Sequence, residues 1–427
     1  MRILYQHAAG LDVHKKTVVA TRMRVTADDR LDWETKTFGT TTPELLELHD
    51  WLTEWECTPV AMESTGDYWK PVHNLLEGDF DVLVVNAQHV KRVPGRKTDV
   101  TDSEWLAELQ MHGMLKASYV PPKPQRALRD LTRYRRKLIE ERSRTVNRVQ
   151  KVLEGANIKL ASVVSDTQGV SAQAMLEAIV AGQTDGRALA QMARGRLRDK
   201  IPELEKALTG RIQPHHRFLL AKQLAHVDFL DEQVADIGAE IGRQLEQMSQ
   251  PPEPPAAKGG NSSSDARELV EGELPARPLT WEQAVVLLDT VPGIDRSAAQ
   301  TVLAEIGLDM GQFPTDRDLA AWAGLAPGNN QSGGKRYSGR TRKGNSSLKT
   351  CMVRIAWAAV RTKDTFLKAR YQRLASRRGK RRAIVAVAHT ILVSIWHMLS
   401  DGTPYVELGG DYFDQCKKDV KVSYLTR

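Results

Sequence analysis

Cysteine is scarce in this 427-residue chain. Cys57, Cys351 and Cys416 are odd in number and widely spaced, and none sits at metal-ligand spacing from another Cys or a His. This excludes a disulfide framework and a structural zinc site, and it reads as reduced thiols in a cytoplasmic protein. No apolar run approaches the roughly 18 residues of a membrane span. The longest, such as Ala383–Ala388, are core-sized, so no membrane partner is expected. The N-terminus enters a strand pattern directly, with no signal-peptide pattern. A nucleotide phosphate loop is also missing. Gly328 and Gly333 have the right spacing, but Gly334 stands where Lys is required, and no strand precedes them. Acid is the charge in short supply: 61 Lys and Arg face 53 Asp and Glu, a net charge of +8. That balance favours a polyanionic partner over a small acidic substrate.

The length is too great for one core, and the 41% hydrophobic fraction suffices for several globular domains. Residues 4–112 alternate strand and helix patterns. The spacing predicts strands over 8–14, 17–25, 33–39, 59–63 and 81–86, and helices over 43–55, 68–76 and 99–112. Three strands followed by helix, strand, helix, strand, helix is the order of a ribonuclease H-like mixed sheet. A long helix pattern follows over 126–154 and another over 215–248, with shorter helices between them. Their apolar stripes predict either an antiparallel coiled coil or an ordinary helical bundle. Pro251–Pro255 and Gly259–Ser264 mark a flexible linker, and a final all-helical region runs from about Leu279 to Ser400. The expected division is 1–120, 121–248, a linker at 249–278, 279–402 and a short tail at 403–427. The expected class is α/β plus α.

Four carboxylates stand out. Asp12 and Glu63 end or interrupt apolar strand patterns, while Asp99 and Asp102 lie three apart at the start of a helix pattern and share one face. Clustered carboxylates repel each other unless a cation sits among them, and oxygen-only ligands suit Mg²⁺ or Mn²⁺. These four acids are therefore the candidate metal ligands, and ions held this way organise phosphodiester chemistry.

The second focus is the basic, glycine-rich stretch Leu325–Asn345, which opens a helix at about Ser346. Ser332-Gly333-Gly334 permits close backbone approach, and Lys335, Arg336, Arg340, Arg342 and Lys343 supply charge for nucleic-acid phosphate. A serine hydroxyl there could attack a phosphodiester, although a serine in a polar loop is more often a turn former. Upstream, Thr290–Ile294 resembles a helix-hairpin-helix turn in which Gly293 lets the next helix's amides face a phosphate, a plain packing corner being the other reading. Two basic stretches extend the phosphate-tracking surface. Arg126–Lys151 holds ten Lys and Arg against three acids, including Arg126, Arg129, Arg133 and Arg136. Arg361–Arg382 holds ten against Asp364 alone, including Arg377, Arg378, Lys380 and Arg381.

Taken in order, Gly10-Leu11-Asp12-Val13-His14-Lys15, Met62–Gly66, Gly95–Asp102, Pro292-Gly293-Ile294, Ala323–Pro327, Gln331-Ser332-Gly333 and Arg342–Asn345 resemble the IS110 family of insertion-sequence transposases. The resemblance spans nearly the whole chain. It implies a RuvC-like domain whose four acids are Asp12, Glu63, Asp99 and Asp102, and a C-terminal transposase domain. It further implies a recombinase guided by a structured bridge RNA, which cuts and rejoins donor and target DNA through a phosphoserine. The family's Ser-Gly step maps onto Ser332, with Ser338 as its rival. Dimers or tetramers joined by the coiled coil, with composite sites, belong to the same expectation. Two other functions compete: a metal-dependent nuclease or junction resolvase acting by hydrolysis at the four acids, and a non-catalytic nucleic-acid-binding protein that retains the fold.

Overall fold

The computed structural model describes residues 2–64, 66–86, 90, 101–250, 279–328, 330–338, 340, 341 and 343–416. The chain divides into two compact units, Met1–Pro121 and Pro122–Arg427.

The first unit is built on a mixed sheet. Strands β1 (His7–Val13), β2 (Thr17–Val25) and β3 (Leu31–Gly39) form an antiparallel meander, and β4 (Pro59–Glu63) and β5 (Asp81–Val85) add parallel to β1, in the order β3-β2-β1-β4-β5. This arrangement is compatible with the ribonuclease H/RuvC-like expectation. Helices α1 (Thr42–Glu54) and α2 (Trp69–Leu76) connect the parallel strands, and α3 (Asp102–Met111) follows β5. Alternation sorts the strand residues to two faces. Leu11, Val13, Val18, Ala20, Val60 and Met62 pack with Leu48, Trp51, Leu52, Val72 and Leu76 of α1 and α2. On the other face Ala8, Met23 and Ala61 meet Trp105, Leu106, Ala107, Leu109 and Met111 of α3. Arg22 of β2 is buried. It is bonded to Glu34 and Glu54 and stacked at 4.3 Å on both Trp51 and Trp55, so its charge is compensated where it leaves water.

In the second unit α4 (Lys123–Gly155) and α9 (Pro214–Ser249) are the long helices, each opened by a proline in its first turn, where no amide partner is lost. They pack antiparallel. Arg142 pairs with Asp231, Glu141 lies 3.8 Å from His226, and Val149 and Leu153 share a core with Leu220. Near Val149–Leu220 the pair joins a small bundle with α5 (Leu160–Val163), α6 (Val170–Val180), α7 (Gly186–Ala190) and α8 (Ile201–Leu208).

The C-terminal part contains α10 (Trp281–Asp289), α11 (Arg296–Ile306), α12 (Asp316–Trp322), strands β6 (Asn330–Ser332) and β7 (Lys335–Ser338), then α13 (Ser346–Ala359), α14 (Phe366–Arg378) and α15 (Lys380–Asp401). The expectation of an all-helical region is corrected by the β6–β7 hairpin. Gly333 (φ 56°) and Gly334 (φ 76°) supply the two consecutive positive φ angles that a two-residue hairpin turn demands. The membrane expectation is corrected in one respect. Helix α15 is long and apolar enough to cross a membrane by length and composition alone, and half of its most apolar window is buried within the protein. The tail returns to α14: a Glu407 carboxylate oxygen accepts from Phe366 N at 2.7 Å, and Phe413 stacks on Phe366. The regions expected at 121–248 and 279–402 share one unit, because α4 packs on α11 through Gln125 Nε2 to Ala304 O (3.1 Å) and Arg135 Nη1 to Gln300 Oε1 (2.8 Å). From residue 251 the expected linker lies outside the described residues, as does the tail from 417.

Candidate active site

Asp12 and Glu63 occupy the C-terminal ends of adjacent parallel strands. The register pairs Leu11 with Met62, so the two acids fall one step further on, both on the face that α3 covers. Helix α3 lies tightly on that face because residue 10 is glycine. A Cβ there would stand 2.8 Å from Leu106 Cβ and closer still to Ser103 O and Ala107 N. Thr21 of β2, paired with Gly10, bonds Ser103 Oγ at 2.9 Å. Ser103 and Ala107 meet Gly10 while Ala107 and Met111 meet Ala8, so α3 runs opposite to β1. Its N-terminus therefore points toward Asp12. Thr101 caps that end in a reciprocal capping box with Glu104, and Asp102 is the first helical residue. Asp12, Glu63 and Asp102 thus come to one end of the sheet. Asp99 lies outside the described residues.

His14 Nε2 stands 3.2 Å from Asp12 Oδ2. Among the described residues no three of His, Cys, Asp and Glu form a ligand set by themselves. The donors at this end are carboxylate oxygens, the chemistry a hard divalent cation takes, and Asp99 is the expected fourth.

In the second unit Ser332 is the last residue of β6 and pairs in register with Lys335 across the Gly333-Gly334 turn. Ser338, its rival, ends β7 and pairs with Asn330. Gly333, Gly334, Lys335, Arg340 and Lys343 are exposed. Arg342 lies outside the described residues, and for Arg336 the backbone alone is described, in β7. The base of the hairpin is clamped. Gly328 N donates to Arg340 O (2.8 Å), Pro327 and Thr341 form a bridge, Lys349 Nζ donates to Thr341 Oγ1 (2.7 Å), and Asn345 N donates to Trp322 O (3.0 Å).

The basic stretches divide by location. Arg377, Arg378, Lys380, Arg381 and Arg382 are exposed around Gly379, where α14 turns into α15. On α4 Arg129, Arg133 and Arg135 serve the interior instead, while Lys137, Arg144, Arg148 and Lys151 are exposed. Arg133 forms a bidentate pair with Glu305 at 2.8 Å through both Nε and Nη2. Arg129 donates to Ala304 O (3.0 Å) and Glu305 O. Arg136 Nε lies 3.8 Å from Glu140, and Arg126 is partly buried. Gly293 (φ 86°) is a packing glycine: a Cβ would stand 2.5 Å from Ala359 N and 2.8 Å from Ile355 O of α13. One amide of the helix start it precedes is capped by an acid, Asp295 Oδ1 accepting from Ala298 N at 2.7 Å.

Sequence reasoning missed Glu305. It is the single fully buried acid among the described residues. Burial alone would raise its carboxyl, but the Arg133 bonds, the Asn345 amide (Nδ2 to Oε2, 2.7 Å) and the Arg129 charge outweigh that and hold it below the ordinary carboxylate range. The signal was a lone acid inside the apolar run Val302-Leu303-Ala304-Glu305-Ile306.

A mixed sheet with Asp12 and Glu63 at the ends of adjacent strands, in a chain whose helical unit carries a basic hairpin, fits a nucleic-acid-handling class. Comparison with known proteins narrows it. The DEDD-type IS110 transposase family matches residues 9–158, and the transposase IS116/IS110/IS902 family matches residues 285–372, together over half the chain. The chain is 27% identical over 356 residues to a Pseudomonas aeruginosa protein named Probable family 20 transposase, covering 81% of this chain and 85% of that one. It is 34% identical over 126 residues to the transposase for insertion sequence element IS1111A of Coxiella burnetii, covering 28% of this chain and 33% of that one. It is also 34% identical over 122 residues to an insertion element IS110 protein of Streptomyces coelicolor, covering 28% and 29%. The chain belongs to the IS110 family of transposases, enzymes of DNA transposition.

Proposed function

We propose that this transposase cuts and rejoins donor and target DNA through a phosphoserine on Ser332, guided by a bridge RNA and working as a homo-oligomer, in the cytoplasm. The observation that carries the chemistry is the place of Ser332, directly before a Gly-Gly turn and paired in register with Lys335, where Gly333, Gly334 and Lys335 are exposed. Two glycines leave a DNA backbone room to approach, and the lysine brings positive charge to the phosphate. In the reaction Ser332 Oγ attacks phosphorus. The Oγ–P bond forms, the bond to the leaving deoxyribose oxygen breaks, and the serine proton passes to a base while the leaving oxygen gains one. A hydroxyl of the partner strand reverses the step. No bond energy is lost to water, which fits a chain without a nucleotide phosphate loop. Lys335, Arg340 and Lys343 neutralise charge on the phosphorane. Asp12, Glu63, Asp99 and Asp102 would hold Mg²⁺ or Mn²⁺, which supplies Lewis-acid polarisation of phosphate oxygens when bound.

A second reading is hydrolysis at the acids, with Ser332 a mere contact. The position of Asp12 and Glu63 at neighbouring strand ends, with Asp102 at the start of the facing helix, favours giving it a test. A nicked donor DNA is used to trap the reaction, and the modified peptide is mapped by mass spectrometry. A DNA adduct on Ser332, lost in Ser332→Ala, supports the serine reading. Full cleavage by Ser332→Ala supports hydrolysis, and an adduct on Ser338 transfers the role to that residue.

A further inference from the structure

We propose that Glu305 is a positioning residue for the hairpin that carries Ser332, acting through the side chain of Asn345; the inference rests on the serine reading above. Asn345 works in two directions. Its Oδ1 caps α13 by accepting from Ser347 N and Leu348 N, both at 3.0 Å, while its Nδ2 donates to Glu305 Oε2 at 2.7 Å. The residue therefore ends the basic loop, starts a helix and ties both to a carboxylate with no exposure to solvent.

The neighbouring contacts leave this junction little freedom. Gly344 packs so closely on Trp322 and Gly324 that a Cβ would stand 2.5 Å from Trp322 O. On the other side of the hairpin Ala326 N donates to Ala320 O at 3.1 Å. Both feet of the hairpin thus stand at the C-terminal end of α12, and Glu305 fixes the second foot.

A buried carboxylate is a poor way to gain stability, because desolvation consumes most of what the ion pair returns. An apolar side chain would fill the space between α4 and α11 as well. What an apolar residue cannot do is hold Asn345 by its amide. Glu305 joins three elements that are distant in sequence, α4 through Arg129 and Arg133, its own helix α11, and the loop through Asn345. The geometry serves orientation, presenting the serine and its cations in one pose before DNA arrives.

The test separates the tether from the cap. Asn345→Asp keeps the oxygen that caps α13 but sets a carboxylate against Glu305. Adding Glu305→Gln moves the negative charge from one residue to the other and restores a donor–acceptor pair in the reverse sense. The full-length variants are compared by amide hydrogen exchange of peptides covering 326–344, by exchange within 348–359, and by the rate of adduct formation on nicked donor DNA. Asn345→Asp is expected to speed exchange in 326–344 about tenfold and to slow the adduct at least tenfold, with 348–359 unchanged. The double variant is expected to recover most of both losses. Asn345→Asp with unchanged exchange in 326–344, or a double variant no better than the single, overturns the proposal. Exchange is measured without DNA, so an adduct absent from Ser332 in the unaltered protein refutes the serine reading while exchange still judges the tether.

Discussion

Replacing Gly10 by alanine is the smallest change that should separate the acidic residues while leaving all of them in the chain. The added methyl would sit 2.8 Å from Leu106 Cβ and nearer to two backbone atoms of α3, Ser103 O and Ala107 N. Carbon pairs are comfortable at about 3.5–4.0 Å, so the helix must retreat by roughly 1 Å. Backbone atoms inside a helix cannot swing aside as a side-chain tip can, so the whole first turn moves, Asp102 with it. Overpacking of this kind costs about 1–3 kcal/mol. For a unit of this size that amounts to a loss of roughly 3–15 °C in Tm. The functional consequence is distinct from the loss of stability: Asp102 withdraws from the strand ends that bear Asp12 and Glu63. The assay is thermal unfolding of the full chain with and without Mn²⁺. The unaltered protein should gain Tm with Mn²⁺ as a ligand of the native state. Gly10→Ala should start lower and gain little. A Gly10→Ala protein with both the original Tm and the original Mn²⁺ response would refute the idea that α3's close approach sets the site. Ala107→Gly, which removes a methyl from the facing helix, serves as a control that lowers stability without pushing α3 away.

Other outcomes follow from particular residues. Glu305→Ala leaves Arg133 without its buried counter-ion and should cost about 3–5 kcal/mol, read as a lower denaturation midpoint. Because the Glu305 carboxyl is held below its ordinary value of 4.5, its contribution is fully present above that value and is lost as pH falls through the lowered one; Glu305→Gln should flatten the acid limb of the stability curve. Neutralising Arg377, Arg378, Lys380 and Arg381 together should weaken DNA binding and reduce the slope of log K against log salt by about 0.9 for each phosphate no longer neutralised, whereas Arg133→Ala should lower stability and leave the slope unchanged. Burial pushes the Cys351 thiol up to about 12 and the Cys57 thiol up to about 11, so iodoacetamide at neutral pH should label exposed Cys416 in the native protein and all three only after denaturation.

The strands of the first unit were legible because each carries a short alternating or apolar run that has no helical alternative. β2 and β4 run over the expected residues, and β1, β3 and β5 differ by one or two at their ends. The three acids could be placed at strand ends and a helix start for the same reason. What could not be read was the close packing at Gly10, which depends on a helix more than ninety residues away. The β6–β7 hairpin was missed because its strands are short and polar and bury too little to leave a periodic signal. Its Gly-Gly pair is visible in the sequence, where it suggests room for a phosphate. The turn explains the same two residues through the φ angles they adopt, and the two uses are compatible, since a turn of glycines is also open to a ligand.

The arginines show where composition stops being informative. Ten cations against three acids in 126–151 and ten against one in 361–382 look alike as counts. They differ in what a distant part of the chain brings to them. Carbonyls at the end of α11 and the carboxylate of Glu305 draw in Arg129 and Arg133, and Gln300 with Ser297 O takes Arg135. The turn at Gly379, by contrast, points its cations outward. A single acid in an apolar run decides the difference: Glu305 costs too much to bury unless cations follow it in, and the neighbouring helix has to supply them. Local charge counts thus mark where cations are available, while isolated acids in apolar segments mark which of them the fold will consume. Applied here, that rule removes Arg129, Arg133 and Arg135 from the surfaces from which nucleic acid should be displaced by salt and leaves the α14–α15 turn among them, and the slopes measured for the two sets of variants decide it.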